Sequence, residues 1–335
     1  MKKSFGLILH FIHLPIYLST FLPIYLSTCL YARQDAPLPS FIYDGKPIGA
    51  KAISTGEAFV AVSDDASAPY WNPAGLLQLG EGKYFTTSIN TSQKTNASSD
   101  DLYNGDSLQG KKLIFLSLAD SKGAFSFRPI SNYSATFENK KVEIRANKYI
   151  FSSASHYTDR MKLGINLNYI SAQLGVTDLT NNSANIADGN GFAMDFGLLY
   201  TVSGITKLGF LVENVPGYIW WNDYRRNIIK SHIRVGLSTK PADWILMLCD
   251  YEYIASTKKE FYHGWLQQTI AKCIFLRQGI ISEKFFNKSG KKSLTFGVGY
   301  ELQKWIVDFA LKLYKLDNTD RDSVADYTFS MSMPL

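Results

Sequence analysis

From residue 83 to the end, the chain alternates large apolar and small or polar residues in run after run, the period of extended strands. In 161–169, Met161, Leu163, Ile165, Leu167 and Tyr169 fall on one face, and Lys162, Gly164, Asn166 and Asn168 on the other. The same holds for Phe192, Met194, Phe196, Leu198 and Tyr200 opposite Ala193, Asp195 and Gly197. Trp305, Val307, Phe309, Leu311 and Leu313 likewise oppose Asp308, Ala310 and Lys312. The last run sets Tyr327, Phe329, Met331 and Met333 against Thr328, Ser330 and Ser332.

A soluble sandwich also alternates, so the faces and the loops must decide. The polar face is rich in Gly, Ser, Asn and charge, and the apolar face is large and aromatic at its ends, which suits lipid outside and a polar lumen inside. Strand candidates are 83–91, 111–119, 123–137, 141–157, 160–175, 190–202, 205–215, 230–240, 243–254, 261–269, 271–284, 291–301, 304–315 and 324–334, with the weakest boundary near Thr269. Long connections (92–110, 176–189, 216–229, 285–290 and 316–323) alternate with short ones at Asp120-Ser121-Lys122, Ser203-Gly204, Pro241-Ala242 and Gln303. Long outer loops, tight periplasmic turns and an even strand count are the marks of outer-membrane barrels. The fold expected is an all-β membrane protein, an antiparallel outer-membrane β-barrel of about fourteen strands. Composition agrees. A 335-residue chain with 46% hydrophobic residues is not disordered, and a mean hydropathy of −0.09 excludes a bundle of membrane helices. The net charge of +6 is spread along the chain with no basic block, so no nucleic-acid partner is expected.

Lys2 and Lys3 precede an apolar run from Phe5 to Leu30 that ends in Leu30-Tyr31-Ala32, and within it LPIYLST occurs twice. Residues 1–32 thus read as a cleaved secretory signal, and the mature chain is expected to begin near Arg33. Leu26-Ser27-Thr28-Cys29 leaves open a lipid-modified Cys29. Otherwise only Cys249 and Cys273 remain, which is no disulfide framework. By parity Cys249 faces lipid and Cys273 the lumen, unbridged. The expected location is the outer membrane of a double-membrane bacterium, with lipid as the surrounding partner and residues 83–335 as the barrel.

Residues 33–82 do not alternate. Thr55–Val62 is apolar and helix-like, Ser63, Asp64 and Asp65 can cap a helix starting near Ala66, and Pro73 forces a break. Such a segment ahead of the first strand can fold into the lumen as a hatch. "AISTGEAFVAVSDDASAPYWNPAGL" resembles the N-terminal signature of the FadL-like outer-membrane superfamily, and is most similar to its PorV/PorQ-type branch. The match runs over Gly56, Ala58-Phe59, Ala61, Asp64 to Ala68 and Asn72 to Leu76, and departs at Glu57 and Pro69. "LGINLNYISAQLG", "GFAMDFGLLY", "LGFLVENVPG" and "LTFGVGYEL" extend it through the barrel. The resemblance implies a fourteen-stranded barrel with a short helical N-terminal hatch. Asp64, Asp65, Asn72, Pro73, Ala74 and Gly75 form the hatch motif, which either gates passage or only plugs and stabilises. FadL-type relatives imply passive transport of small hydrophobic molecules, with such a ligand or detergent held in the lumen. PorV-type relatives imply a barrel that docks or anchors exported proteins.

The charges expected to face the lumen are Asp195, Glu213, Arg234, Asp250, Glu252, Arg277, Glu301, Asp308 and Lys312. Both signs occur, so they serve as neutralising pairs in a filled barrel or as a polar path. Trp220 and Trp221 fall in the 216–229 loop beside Arg225 and Arg226, as an interfacial girdle or as a contact for a partner or amphiphile. His156, His232 and His263 have no metal-ligand spacing. No cofactor, no metal and no catalysis are expected.

Overall fold

A wall exposed to lipid must pair every backbone N–H and C=O within itself, and a strand wall achieves this only by closing. The computed structural model describes residues 47–94, 112–137, 139–255, 257–270, 272–284, 292–302, 305–315 and 323–335. The signal reading, Cys29, residues 33–46 and the connections 95–111, 285–291 and 316–322 lie outside the described residues.

The strands are β1 (Tyr84–Lys94), β2 (Lys112–Ala119), β3 (Gly123–Phe137), β4 (Lys140–His156), β5 (Met161–Asp178), β6 (Ser183–Thr201), β7 (Thr206–Glu213) and β8 (Gly217–Trp221). They continue as β9 (Asn227–Ile228), β10 (His232–Ala242), β11 (Ile245–Ile254), β12 (Lys259–Ile270), β13 (Ile274–Glu283), β14 (Lys292–Leu302), β15 (Trp305–Lys315) and β16 (Ser323–Pro334). Pairing is antiparallel throughout and joins chain neighbours except at β7–β10, where β7 pairs with β6 and β10, and β1 pairs with β16 from Tyr84↔Pro334 to Lys94↔Val324. The cylinder therefore closes. β7 and β8 lie end to end along β6, broken at Asn214–Pro216, and β9 leads into β10. The sixteen segments make a closed wall of fourteen strands. Both termini of the wall and the short turns share one end, as in outer-membrane barrels with periplasmic turns.

Outward residues are large and apolar: Leu118, Phe125, Phe151, Leu167, Phe196, Phe210, Val298, Phe309 and Phe329 are all exposed. Tyr200, Trp244, Tyr300 and Trp305 ring the short-turn end, and Tyr149–Tyr169 and Tyr251–Tyr262 pair nearer the other. Met161, opposite Tyr200, to Tyr169 is roughly 25 Å of strand, close to the length of a tilted membrane-crossing strand. The chain is an outer-membrane β-barrel.

The wall departs from the sequence reading in several places. Residues 176–189 are not a loop, because β5 and β6 continue outward as a hairpin turned at Leu179–Asn182. That hairpin stands beyond the apolar band, where both faces meet water or lumen, so its polarity no longer marks a loop. Residues 216–229 likewise form the β8–β9 hairpin, with Trp220 outward and Trp221 inward. Near Thr269, β12 runs to Ile270, and Cys273 sits in the turn that follows instead of on a lumen face. Cys249 is exposed on the outer wall, and both thiols are free. An apolar maleimide that partitions into the bilayer is expected to label Cys249, and a charged one Cys273 alone, with peptide mapping as the readout. Labelling of Cys249 by the charged reagent would contradict the lipid-facing assignment.

Residues 47–79 lie inside the barrel, and 80–82 lead out to β1. A helix at Thr55–Val62 is absent. The described helices are α1 (Ala50–Ser54), α2 (Ala68–Trp71) and a 3-10 turn at Pro73–Gln78. Gly56 and Glu57 take left-handed φ of 62° and 64°, which ends α1 and sets the chain against the wall.

Candidate functional site

The lumen is layered. At the short-turn end, the inner segment rests on a belt of wall glycines. A Cβ on Gly164 would overlap the Pro73–Ala74 backbone, one on Gly197 would overlap Asn72 and Pro73, and one on Gly209 the Val60–Ala61 backbone. Gly279 meets Gly56, and Gly297 meets Ser54. Gly164 faces Gly197 across β5–β6, and Gly209 faces Gly236 across β7–β10. Bare backbone on both sides lets the segment come within hydrogen-bond reach of the wall. Asn72 uses its whole amide: Nδ2 donates to Val60 O at 2.9 Å and to Leu198 O of β6 at 3.0 Å, and Oδ1 accepts from Ala74 N at 3.1 Å. Pro73 opens the 3-10 turn, and Gly75 lets it approach Ser63. Gly56 N donates to Thr295 Oγ1 at 3.0 Å, Val60 N to Asp250 Oδ2 at 3.0 Å, and Lys312 Nζ to Glu57 Oε1 at 2.6 Å.

Asp64 and Asp65 do not touch the wall in these bonds. Asp64 pairs with Lys51 at 2.6 Å, and Asp65 accepts from Ser67 N at 2.8 Å. Burial works to raise the Asp64 carboxyl, and Lys51 outweighs it and holds it below its usual range. Burial pushes Asp65 above its usual range.

Above the segment lies a polar layer. Asp195 accepts from Asn166, Asn168 and the Asn214 backbone at 2.8–3.0 Å, with Lys148 at 3.7 Å. Asn166 also donates to Pro69 O at 2.7 Å. Glu213, His232, Glu252 and His263 form a chain through contacts of 3.0, 2.5 and 2.7 Å, and His263 reaches Gly56 O at 2.6 Å. Arg234 meets Glu252 at 3.2 Å and stacks on Trp71 at 4.8 Å, while Arg128 covers Tyr70 at 4.4 Å. Arg277 binds Asp308 at 2.6 Å.

Of the charges named from sequence, eight are thus placed inside. Glu301 is not, because it lies at the short-turn rim, exposed, where its parity no longer points into enclosed space. His232, which shares the parity of Arg234, and Asn166 and Asn168, which share that of Gly164, lie inside as their parity implies, whereas Lys148 and His263 were not among the candidates. Inward parity is the signal that finds them, since His263 is the register partner of Asp250 and Lys148 alternates with outward Tyr149. Among the described residues, no group of three His, Cys, Asp or Glu is placed to hold a metal ion.

Burying charges is costly, and a buried partner left alone costs about 3–5 kcal/mol. Arg277→Ala leaves Asp308 in that state. The variant is expected to lose stability of that order, and Arg277→Ala with Asp308→Ala less. Guanidinium unfolding in detergent, followed by tryptophan fluorescence, measures both. A single variant as stable as the parent would show that the pair is solvated.

The third layer is apolar, toward the loop end on one side of the lumen. Ile130, Val142, Ile144, Ala146, Ile170, Ala172, Leu174, Ala187, Ile219, Trp221 and Ile229 form one buried cluster. Its strands show why. Along β5 the inward residues change from Gly164, Asn166 and Asn168 to Ile170, Ala172 and Leu174, while the outward ones change from Leu167 and Tyr169 to Ser171 and Gln173. The alternation inverts where the wall leaves the lipid.

No protein-family model matches the chain, and no curated protein sequence does. Solved structures do. The CymD monoaromatic hydrocarbon channel superposes with a TM-score of 0.63 at 16% identity, over 88% of this chain and 99% of its own. The Ralstonia pickettii toluene transporter TbuX gives 0.62 at 14% identity, over 88% and 99%. A Pseudomonas aeruginosa FadL homologue gives 0.61 at 10% identity, over 87% and 99%. The barrel with its inner segment has the fold of these FadL-type proteins.

Proposed function

We propose that this barrel passes small hydrophobic molecules across the outer membrane, passively, with residues 47–82 as its hatch. The observation that carries the reading is the buried apolar cluster at the loop end of the lumen, above a layer lined with charge. A channel for polar solutes has no use for such a cluster. An apolar solute gains about 25 cal/mol per Å2 of surface it buries there. It then meets the hatch, which is held to the wall by hydrogen bonds and ion pairs that can exchange, so a shift of the Asn72–Gly75 turn opens the path without breaking the wall's ladder. The fold shared with hydrocarbon channels supports the same reading. The docking of exported proteins has only the Asp64-to-Leu76 motif in its favour.

The test is uptake by proteoliposomes. Radiolabelled toluene trapped by an internal oxidase is expected to enter protein-containing vesicles faster than empty ones, and glucose is not. Equal toluene entry with and without protein would overturn the proposal, and co-purification with a secretion complex would then favour docking.

A further inference from the structure

Gly56 is gripped by the wall from several strands at once. It sits against Gly279 of β13, where a Cβ would overlap its N and Cα. Its N–H goes to Thr295 of β14, and its carbonyl lies 2.6 Å from His263 Nδ1 of β12. The other nitrogen of that ring, Nε2, meets Glu252 Oε2 at 2.7 Å. His232 is placed in the same way, with Nδ1 at 3.0 Å from Glu213 and Nε2 at 2.5 Å from Glu252 Oε1. Each of these ring nitrogens thus faces an acceptor. A neutral imidazole donates at one nitrogen only, and an imidazolium at both. Both rings therefore fit their places as imidazoliums. The charges around them agree. Glu213, Glu252 and Asp250, the register partner of His263, are buried with Arg234. Lys148 pairs with Asp195, Lys312 with Glu57 and Arg277 with Asp308, while Arg128 and Asp326 add one charge of each sign. Two imidazoliums close the balance, whereas neutral rings would leave buried negative charge uncompensated, which is costly. A proton on Glu252 in place of His263 would turn a neutral carboxyl toward Arg234, which it meets at 3.2 Å.

We propose that His263 is a latch that positions the hatch through Gly56 O, that it works as an imidazolium, and that Glu252, His232 and Glu213 keep its proton in place. This rests on the reading of the inner segment as a hatch and adds the residue that holds it shut. When His263 loses a proton, one donor remains for two acceptors. A carboxylate holds a donor more strongly than a carbonyl does, so the donor stays with Glu252 and Gly56 O is released. The hatch loosens as pH rises.

Nitrogen NMR and solute entry test this together. In protein labelled with nitrogen-15 histidine and held in lipid nanodiscs, with signals assigned through His156→Gln and His232→Asn, His263 is expected to carry a proton on both ring nitrogens at pH 7. Radiolabelled glucose entry into proteoliposomes is then measured at pH 7 and pH 10, with the heat-modifiable form on a gel as the check of folding. The parent is expected to be tight at pH 7 and to admit glucose at least tenfold faster at pH 10. In His263→Gln the amide replaces Nε2 toward Glu252 and leaves Gly56 O without its donor, so entry should be fast at both values. In His263→Asn the amide replaces Nδ1 toward Gly56 O and cannot titrate, so entry should be slow at both. A bare His263 nitrogen at pH 7 would overturn the inference. So would a parent that stays tight at pH 10, alkaline opening that persists in His263→Asn, or a folded His263→Gln barrel as tight as the parent. Asn72→Ala separates the latch from the hatch. A leaking Asn72→Ala beside a tight His263→Gln sinks the latch and leaves the hatch standing, and no leak in either sinks both.

Discussion

Asn72→Ala is expected to open the short-turn end of the barrel while the barrel stays folded. The substitution removes the hydrogen bonds to Val60 O and Leu198 O and the one from Ala74 N. Asn72 is wholly buried, so water does not replace them freely. A buried polar group left unpaired costs about 1–3 kcal/mol, so with three such groups the seat of the turn weakens by roughly 3–9 kcal/mol. The wall's ladder, closed from β1 to β16, uses none of these bonds. The variant should keep its heat-modifiable, fast-migrating form on a gel, and small-solute entry into vesicles should rise at least tenfold. Asn72→Asp keeps the acceptor for Ala74 N and loses both donors, so it should fall between. A folded Asn72→Ala barrel with unchanged permeability would show that this turn only packs the lumen.

Gly197→Leu is expected to be more severe. Its Cβ would overlap Asn72 Oδ1 and the Pro73 ring, neither of which can swing aside. Pro73 is cyclic, and Asn72 is held by three bonds. The 72–75 turn must therefore leave the wall or the wall must distort, whereas Gly204, with nothing near its Cβ position, should accept alanine without effect. Because both substitutions act on one contact, adding Asn72→Ala to Gly197→Leu should raise permeability no further. An additive increase would mean that Gly197 does not seat this turn.

Much of the wall was legible because lipid imposes a strict rule. Leu163, Ile165, Leu167 and Tyr169 face hydrocarbon, and each neighbour between them faces the lumen, so period and parity alone located the strands. The rule fails where lipid ends. At Ile170 the alternation keeps its period and reverses its sense, and a reading that sought polar lumen residues took 176–189 and 216–229 for loops. The reversal was itself in the sequence, in Tyr169-Ile170-Ser171-Ala172-Gln173-Leu174, and it marks the buried apolar cluster. The lumen glycines were visible as a pattern, but their use was not. Whether Gly197 opens space or receives another backbone depends on what lies behind it, and Asn72 is far away in sequence. The segment at Thr55–Val62 failed as a helix for a similar reason. Gly56 N and Val60 N bond to Thr295 and Asp250 of the wall, and the other bonds close isolated turns in place of a continuous ladder. The partners of Glu252 were half visible. Parity placed Arg234 and Glu252 inside, and the β10–β11 register then sets them side by side.

The central claim, that apolar molecules pass when the hatch shifts, is tested most directly by holding the hatch still. Lys312 on β15 meets Glu57 of the inner segment at 2.6 Å, so cysteines at these two positions are within reach of a short reducible bis-maleimide. With Cys249 and Cys273 replaced by serine, toluene uptake into proteoliposomes is measured before bridging, after bridging, and after the bridge is cleaved by reductant. The account predicts uptake that falls to the level of empty vesicles on bridging and returns on cleavage. Uptake by the bridged barrel at the unbridged rate would contradict it.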